Sequence, residues 1–377
     1  ARRVRRLAAR IDDVPPAAPN PAPLAPYDAV LVVSFGGPEG PEDVLPFLRT
    51  VTRGRGIPDE RLATVAEHYH HFAGVSPINA QNRALVAALE AELAASGTAL
   101  PVYFGNRNWH PFLADTLRAM ATAGVRRAVA FVTSAYSSYS GCRQYREDIA
   151  RAQAEGGDGA PQVEVLRRFY NHPGFLEPVT ELTRAALAQV PAERRAAARL
   201  AFTAHSIPVT MARTSGPDGN GYPTQLADTA RVVVTGLDAP YDWSVVYQSR
   251  SGPPPQPWLE PDVGDFLDAV AAAGARDVVL VPIGFVSDHL EVCYDLDVEA
   301  ARRARELGLN LVRAATVGTH PRFVAMVGAL IRERLTPGAP RPALGRLGPH
   351  PDQCPLDCCP APRRPARPAS LDAARTS

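Results

Sequence analysis

Eight short, apolar and β-branched runs constrain this chain more than any other feature. They occupy residues 29–33, 102–104, 128–133 and 163–166, then 200–203, 244–247, 278–283 and 311–315. Ala-rich stretches with a helical period separate them, for example at 84–95, 113–123, 175–188 and 263–273. A strand buried on both faces reads as a continuous apolar run, and crossovers of helix length join such strands in parallel. The runs fall into two sets of four. The expected fold class is therefore α/β, with two similar Rossmann-like domains, each a four-stranded parallel sheet flanked by helices. The first domain would span 27–192 and the second 193–335, with the helix over 321–335 closing the structure and free to return to the first domain. In sheets of this kind ligands bind in the crevice outside the carboxyl ends of the strands.

The two ends of the chain read differently. Five arginines fall in the first ten positions and six prolines between Pro15 and Pro26, so 1–26 is expected to be a disordered leader. Residues 336–377 form a cysteine-bearing tail rich in proline and arginine, without a packed core of its own.

Composition removes several classes of function. The formal net charge is +1, so electrostatics do not point to nucleic acid. All 40 basic residues are arginine, which forms no Schiff base and cannot stand in for the P-loop lysine. No apolar run reaches the roughly 18–20 residues of a membrane span, and no signal peptide is visible. Five cysteines in a chain of this length fit reduced thiols, some ligating metal, better than a secreted disulfide framework. A cytoplasmic protein is the expectation.

Two segments carry the chemistry. Thr203-Ala204-His205-Ser206-Ile207-Pro208 and Ser287-Asp288-His289-Leu290-Glu291 each begin where a buried strand ends, and the second continues through Tyr294 and Asp295 to Asp297. Alone, a histidine at a strand end is most simply a hydrogen-bonded structural residue. A helix starting at Asp288 would stack Asp288, Glu291, Asp295 and Glu299 on one face. Like charges at that spacing cost a few tenths of a kcal/mol per pair, roughly. Their repulsion raises the pKa of the buried members, which suits proton exchange and the relay of a divalent cation. Elsewhere, Gly36-Gly37-Pro38 lacks dinucleotide-loop spacing and serves a tight turn or the close approach of a flat ligand. Tyr247–Arg250 and the following Pro-rich stretch to Trp258 form a rigid corner, structural or ligand-facing. Cys354-x3-Cys358-Cys359 is a poor zinc match. A cluster held by thiolates alone needs a fourth ligand, either Cys142 or Cys293, and Cys142 is preferred because Cys293 faces packing on the acidic helix.

Together these residues resemble ferrochelatase, over about residues 27–335, and the fold expected becomes that of the type II chelatases. The resemblance rests on Ser34–Pro38, Gly74-Val75-Ser76-Pro77-Ile78, Thr203–Pro208, the stretch 247–261 and the stretch 287–297. It implies insertion of Fe2+, a substrate, into a porphyrin held between the two halves. His205 and Glu291 would face the porphyrin centre as the catalytic pair, and Asp288, His289 and Asp295 would extend the metal and proton path. Phe35, Tyr69, Ser76 and Tyr145 would bind porphyrin, and Arg53 a propionate. Thr52 and His68 stand where some relatives have arginine, so those propionate contacts do not transfer. Phe35 stands where related enzymes often have tyrosine, and phenylalanine cannot ligate iron.

The tail resembles that of actinobacterial enzymes with a 2Fe–2S cluster, implying Cys142, Cys354, Cys358 and Cys359 as ligands. Actinobacterial affiliation implies coproporphyrin III as the porphyrin, in haem biosynthesis, with product handed to a downstream haem-pathway enzyme. The alternatives are a protoporphyrin IX ferrochelatase, a cobalt or sirohydrochlorin chelatase, and a non-catalytic haem carrier.

Overall fold

A computed structural model describes residues 27–54, 56–98, 100–251 and 256–362. The expected leader, 1–26, and the end of the tail, 363–377, lie outside the described residues. The first sheet contains β1 (Ala29–Ser34), β2 (Val102–Asn106), β3 (Arg127–Val132) and β4 (Gln162–Val165). The second contains β5 (Arg199–His205), β6 (Trp243–Gln248), β7 (Asp277–Val281) and β8 (Asn310–Arg313). The strand orders are β2-β1-β3-β4 and β6-β5-β7-β8, the same winding twice. Every pairing is parallel. The α/β architecture of two helix-flanked parallel sheets is therefore present as expected.

Alternation along the strands assigns each face to a layer. Val30 and Val32 of β1 share one apolar cluster with Leu200, Phe202 and Ala204 of β5. Ala29, Leu31 and Val33 face a second cluster with helices Leu113–Thr122 and Gln144–Gly156. Ala201, Val246, Val278 and Leu280 face a third, with helix Val263–Ala272 and the helical run that begins at Leu290. The inner faces of both sheets thus share a single core, and each outer face has its own.

The shared core crosses the expected domain boundary near residue 192. Its keystone is helix Pro321–Leu335, which packs against Pro77–Ala95 and Pro173–Leu187. Phe323 on that helix is fully buried among Phe131, Phe169 and Phe175, with ring centroids 5.9–6.2 Å away.

From Thr336 to Pro362 the chain contains no helix or strand, yet it is anchored at many points. Asn171 donates to the Gly348 carbonyl and Arg143 to that of Leu356. Arg341 bridges Glu333 and Asp352. Cys358 and Cys359 are buried. The tail is held by arginine and backbone hydrogen bonds rather than by apolar packing, which is why its composition reads as that of an unstructured segment.

Removing a buried aromatic ring costs about 3–5 kcal/mol. Phe323→Ala is expected to lower unfolding stability by that amount in urea titration and Phe323→Leu by clearly less, since the helix joins both halves.

Candidate functional site

His205 is the last residue of β5 and shares the outer face with Ala201, four residues earlier. Above that face lies the helical run from Leu290, whose Val292 and Leu296 pack into the same outer core. Glu291 on this run brings Oε2 to 3.9 Å from His205 Nε2. Both residues lie where the chain winds away from β5 in opposite directions, to β6 and to β7, the switch point at which α/β sheets open a crevice. Their side chains keep 36% and 45% of their surface in solvent, so they line an open wall.

The tautomer of His205 follows from its neighbour. Nδ1 lies 2.5 Å from the Ser206 carbonyl oxygen. A carbonyl only accepts, so Nδ1 carries the proton and Nε2 of the neutral ring presents a lone pair toward Glu291. Desolvation pulls the His205 pKa below the ordinary imidazole value, against the opposing pull of the Ser206 carbonyl and Asp295. His289 beside it is held down to about 3 by burial and by His205. At neutral pH His205 is therefore a neutral imidazole facing Glu291, and His289 beside it is neutral as well.

The carboxylates shift the other way. Burial raises the pKa of Glu291. Asp295 is pushed up to about 7, first by burial and then by Glu291 and Glu299, while a hydrogen bond from the Ser249 hydroxyl pulls it down. Glu291 lies on the helical turn Leu290–Val292, and Asp295 and Glu299 on the π-helix it leads into, Cys293–Ala300. Its i→i+5 hydrogen bonds widen the turn, which keeps residues four apart on one side, and such segments recur at functional sites.

The structure corrects the expected start of this row. Asp288 begins no helix; His289 is the N-cap, with extended backbone, and the helical run starts at Leu290. The Asp288 amide donates to Gln81 Oε1 and its carboxylate is 2.9 Å from Arg313, which also binds Asp297. Asp288 is thus committed to an arginine, and the row that remains is Glu291, Asp295 and Glu299. Cys293 is half-buried with its thiol pushed up to about 11 by burial, apart from the other cysteines.

The first half supplies the facing residues. Tyr69 is buried, its phenol pKa raised by desolvation and by the nearby Glu291 and Asp295. It packs on Phe47, which also meets Phe35 and Trp109, and Leu290 joins this cluster from the second half. Ser76 is buried at the N-cap of helix Pro77–Ala95. A Cβ on Gly37 would lie 2.7 Å from the Ser76 side chain, so the glycine permits that close approach. Tyr145 is buried under the Arg107 guanidinium, which lies 4.5 Å from its ring and 5.8 Å from that of Phe35. Arg53 is exposed on the turn after helix Val44–Val51.

Two further participants, Arg107 and Tyr222, carry no sequence signal, and His68 gains a contact its sequence position does not foretell. Arg107, ion-paired with Asp148 in a buried position, carries no motif. His68 stacks on Tyr294 with centroids 4.0 Å apart, tying the first half to the π-helix. Tyr222 donates its hydroxyl to the His205 carbonyl at 2.9 Å. The Trp258 corner proves to be a brace: Leu259 donates to the Ile207 carbonyl, and Ser206 Oγ to that of Leu259.

A second constellation lies where the tail meets both halves. The Cys142 thiol is in hydrogen-bonding contact with Cys354 and Cys359, which lowers its pKa well below the usual thiol value, with Arg168 and Arg146 assisting. Cys358 Sγ is 3.6 Å from Cys359 Sγ and also contacts Cys354. Four thiols thus form a closed ring. Cys142 too is carried on a π-helical segment, Tyr139–Arg143. Among the described residues no group of three His, Cys, Asp or Glu side chains is arranged to hold a single metal ion, and no helix is long and apolar enough to cross a membrane.

Comparison with known proteins places the chain in a family. The family model described as ferrochelatase matches residues 27–335. The coproporphyrin III ferrochelatase of Frankia alni is 56% identical over 94% of this chain and 92% of its own length. The one from Streptomyces griseus is 53% identical over 93% and 97%. The ferrochelatase of Rhodopirellula baltica is 54% identical over 91% and 96%. Among solved structures, SirB from Bacillus subtilis with Fe3+ shares the fold, with a TM-score of 0.50 and 11% identity over 82% of this chain and 96% of that one.

Burial predicts a pH signature for Asp295. With a folded pKa near 7, the native state binds more protons than the unfolded chain between about pH 4 and 7, so stability falls as pH rises through that window. Asp295→Asn is expected to flatten this fall, measured by urea midpoints at about pH 5 and pH 8. Parallel curves for both proteins would refute the raised pKa.

Proposed function

The chain belongs to the ferrochelatase family, and from that premise we propose that it inserts Fe2+ into coproporphyrin III to form coprohaem, with His205 and Glu291 at the porphyrin centre. One observation carries the assignment of roles: a neutral imidazole, its Nδ1 committed to the Ser206 carbonyl, turns Nε2 toward Glu291 at 3.9 Å on an open crevice wall. A free-base porphyrin must release two inner N–H protons as the metal enters. His205 Nε2 accepts one, and the carboxylate row passes protons on, because Asp295 with a pKa near 7 binds and releases them readily at neutral pH. The same row attracts Fe2+. Phe35, Tyr69, Ser76 and Tyr145 provide the wall for the macrocycle, with Arg107 lying over the rings of Phe35 and Tyr145 and fixing their positions. A crevice that bends the macrocycle exposes its nitrogen lone pairs and lowers the barrier.

The coproporphyrin assignment is supported by the coproporphyrin III ferrochelatases of Frankia alni and Streptomyces griseus, more than 50% identical across nearly the whole chain. The cytoplasm is the proposed location, and a downstream haem-pathway enzyme the proposed recipient of product.

The four-thiol ring fits a 2Fe–2S cluster, with Cys142, Cys354, Cys358 and Cys359 as ligands: the donors are all sulfur, four in number, and flanked by arginines that favour thiolate. When bound, such a cluster supplies a one-electron centre and a cross-link between the tail and the body of the protein.

The reading is tested by anaerobic incubation with Fe2+ and either coproporphyrin III or protoporphyrin IX, followed by visible absorption. Metallation of coproporphyrin is expected, with His205→Ala slower by at least about a hundredfold. Preference for protoporphyrin would replace the substrate, preference for Co2+ and sirohydrochlorin would replace the reaction, and porphyrin binding without metallation would make the protein a carrier. Cys358→Ser is expected to abolish the visible absorption of the purified protein; an unchanged spectrum would remove the cluster assignment.

A further inference from the structure

Tyr222 lies in the first turn of helix Gly221–Thr235, buried beside the inner core. Its hydroxyl donates to the carbonyl of His205 at 2.9 Å. The N–H of that same peptide unit, from Ser206, donates to the Gln248 carbonyl at 2.8 Å. The peptide plane that carries the histidine ring is therefore pinned at both ends, once by the neighbouring strand and once by Tyr222.

The helix that presents Tyr222 is itself held from the tail by two separate routes. On the first, Gly216 N–H donates to Cys359 Sγ at 3.1 Å. Its neighbour Ser215 accepts the Tyr222 N–H on Oγ at 2.8 Å and the Gly221 N–H on its carbonyl at 2.7 Å. On the second, His350 Nδ1 is committed to the Pro351 carbonyl at 2.8 Å, leaving Nε2 to accept from Ser137 Oγ at 3.3 Å, with Cys354 Sγ packed 3.8 Å from the same nitrogen. Ser137 in turn receives Gln225 Nε2 on its hydroxyl at 2.9 Å and gives its N–H to Gln225 Oε1 at 2.8 Å. Gln225 is one turn along the helix from Tyr222. Cys359 thus reaches the helix by hydrogen bonds throughout, and Cys354 reaches it through its packing on the His350 ring.

We propose that Tyr222 is a positioning residue for His205, and that the tail's thiol ring sets the placement of His205 through helix Gly221–Thr235. The inference rests on the role given to His205 above. Closing the ring fixes Gly216 and Ser137, these fix the first turn of the helix, and the Tyr222 hydroxyl transmits that placement to the peptide bearing the imidazole. The tail acts on catalysis by holding a proton acceptor in register, without touching the porphyrin.

The test combines kinetics with imidazole 15N resonances of histidine-labelled protein, His205 being assigned from its loss in His205→Ala. Tyr222→Phe is expected to lower kcat for metal insertion about tenfold with KM for porphyrin changed less than twofold, because geometry is lost and binding is not. Its His205 resonances should move while the visible absorption of the tail site stays. Cys359→Ser should shift the same resonances, and in a Tyr222→Phe background should add almost nothing, the non-additivity expected of one connected unit. Gln225→Ala, which leaves every thiol in place, makes the same comparison if Cys359→Ser does not fold. His205 resonances unmoved by Tyr222→Phe would overturn the positioning role. Effects of Tyr222→Phe and the tail variants that add independently would overturn the link to the thiol ring. Wild-type protein that inserts no metal would overturn the assigned reaction instead, and the resonance shifts would still decide the link.

Discussion

The contact between His205 Nδ1 and the Ser206 carbonyl decides how the rest of the site works. Without it the imidazole could present either nitrogen to the crevice, and a ring in the other tautomer would offer the carboxylates a donor instead of a lone pair. Burial then keeps the ring neutral, and the same burial raises Glu291 and Asp295. One physical cause, poor solvation of charge at the crevice wall, moves base and acids toward a shared range in which protons pass in either direction. For Asp295 the neighbouring Glu291 and Glu299 add to the effect.

That wall depends on the layering of the two sheets. Because their inner faces share a core, the outer faces are free to carry chemistry: β5 and the π-helix run on one, β1 and helix Gln144–Gly156 on the other. Phe35 extends β1 by one residue, as His205 closes β5. The same winding, used twice, supplies an aromatic wall from one half and a proton-handling wall from the other. Leu290 and the His68–Tyr294 stack connect them across the boundary.

Much of this was legible in the chain. The eight strands are legible as short apolar, β-branched runs between helical stretches, most plainly the central β1, β3, β5 and β7, which are almost wholly buried. His205 and Glu291 stand out by the polar residues around them at the ends of such runs. What stayed hidden depended on tertiary partners. Asp288 was read as the first member of the acidic row, since its commitment to Arg313 lies 25 residues away in sequence. The π-helix has the composition of an ordinary helix. Helix Gly221–Thr235 opens with Gly-Tyr-Pro and ends with three valines before Thr235, a pattern that favours strand, and only packing against the inner core makes it helical. Arg107 is one arginine among 40, distinguished solely by the rings beneath it. The tail looked unstructured because hydrogen bonds to backbone carbonyls leave no hydrophobic trace.

The most direct test of the central claim, a neutral His205 as proton acceptor, is the pH dependence of kcat/KM for anaerobic metal insertion, which reports ionisations of the free protein. The structure predicts an acid limb, a rate that falls as pH drops below the ordinary imidazole value of about 6.5, and the loss of that limb in His205→Ala. A rate that instead declines as pH rises through that value would mean the reaction needs a protonated histidine, and would contradict the account.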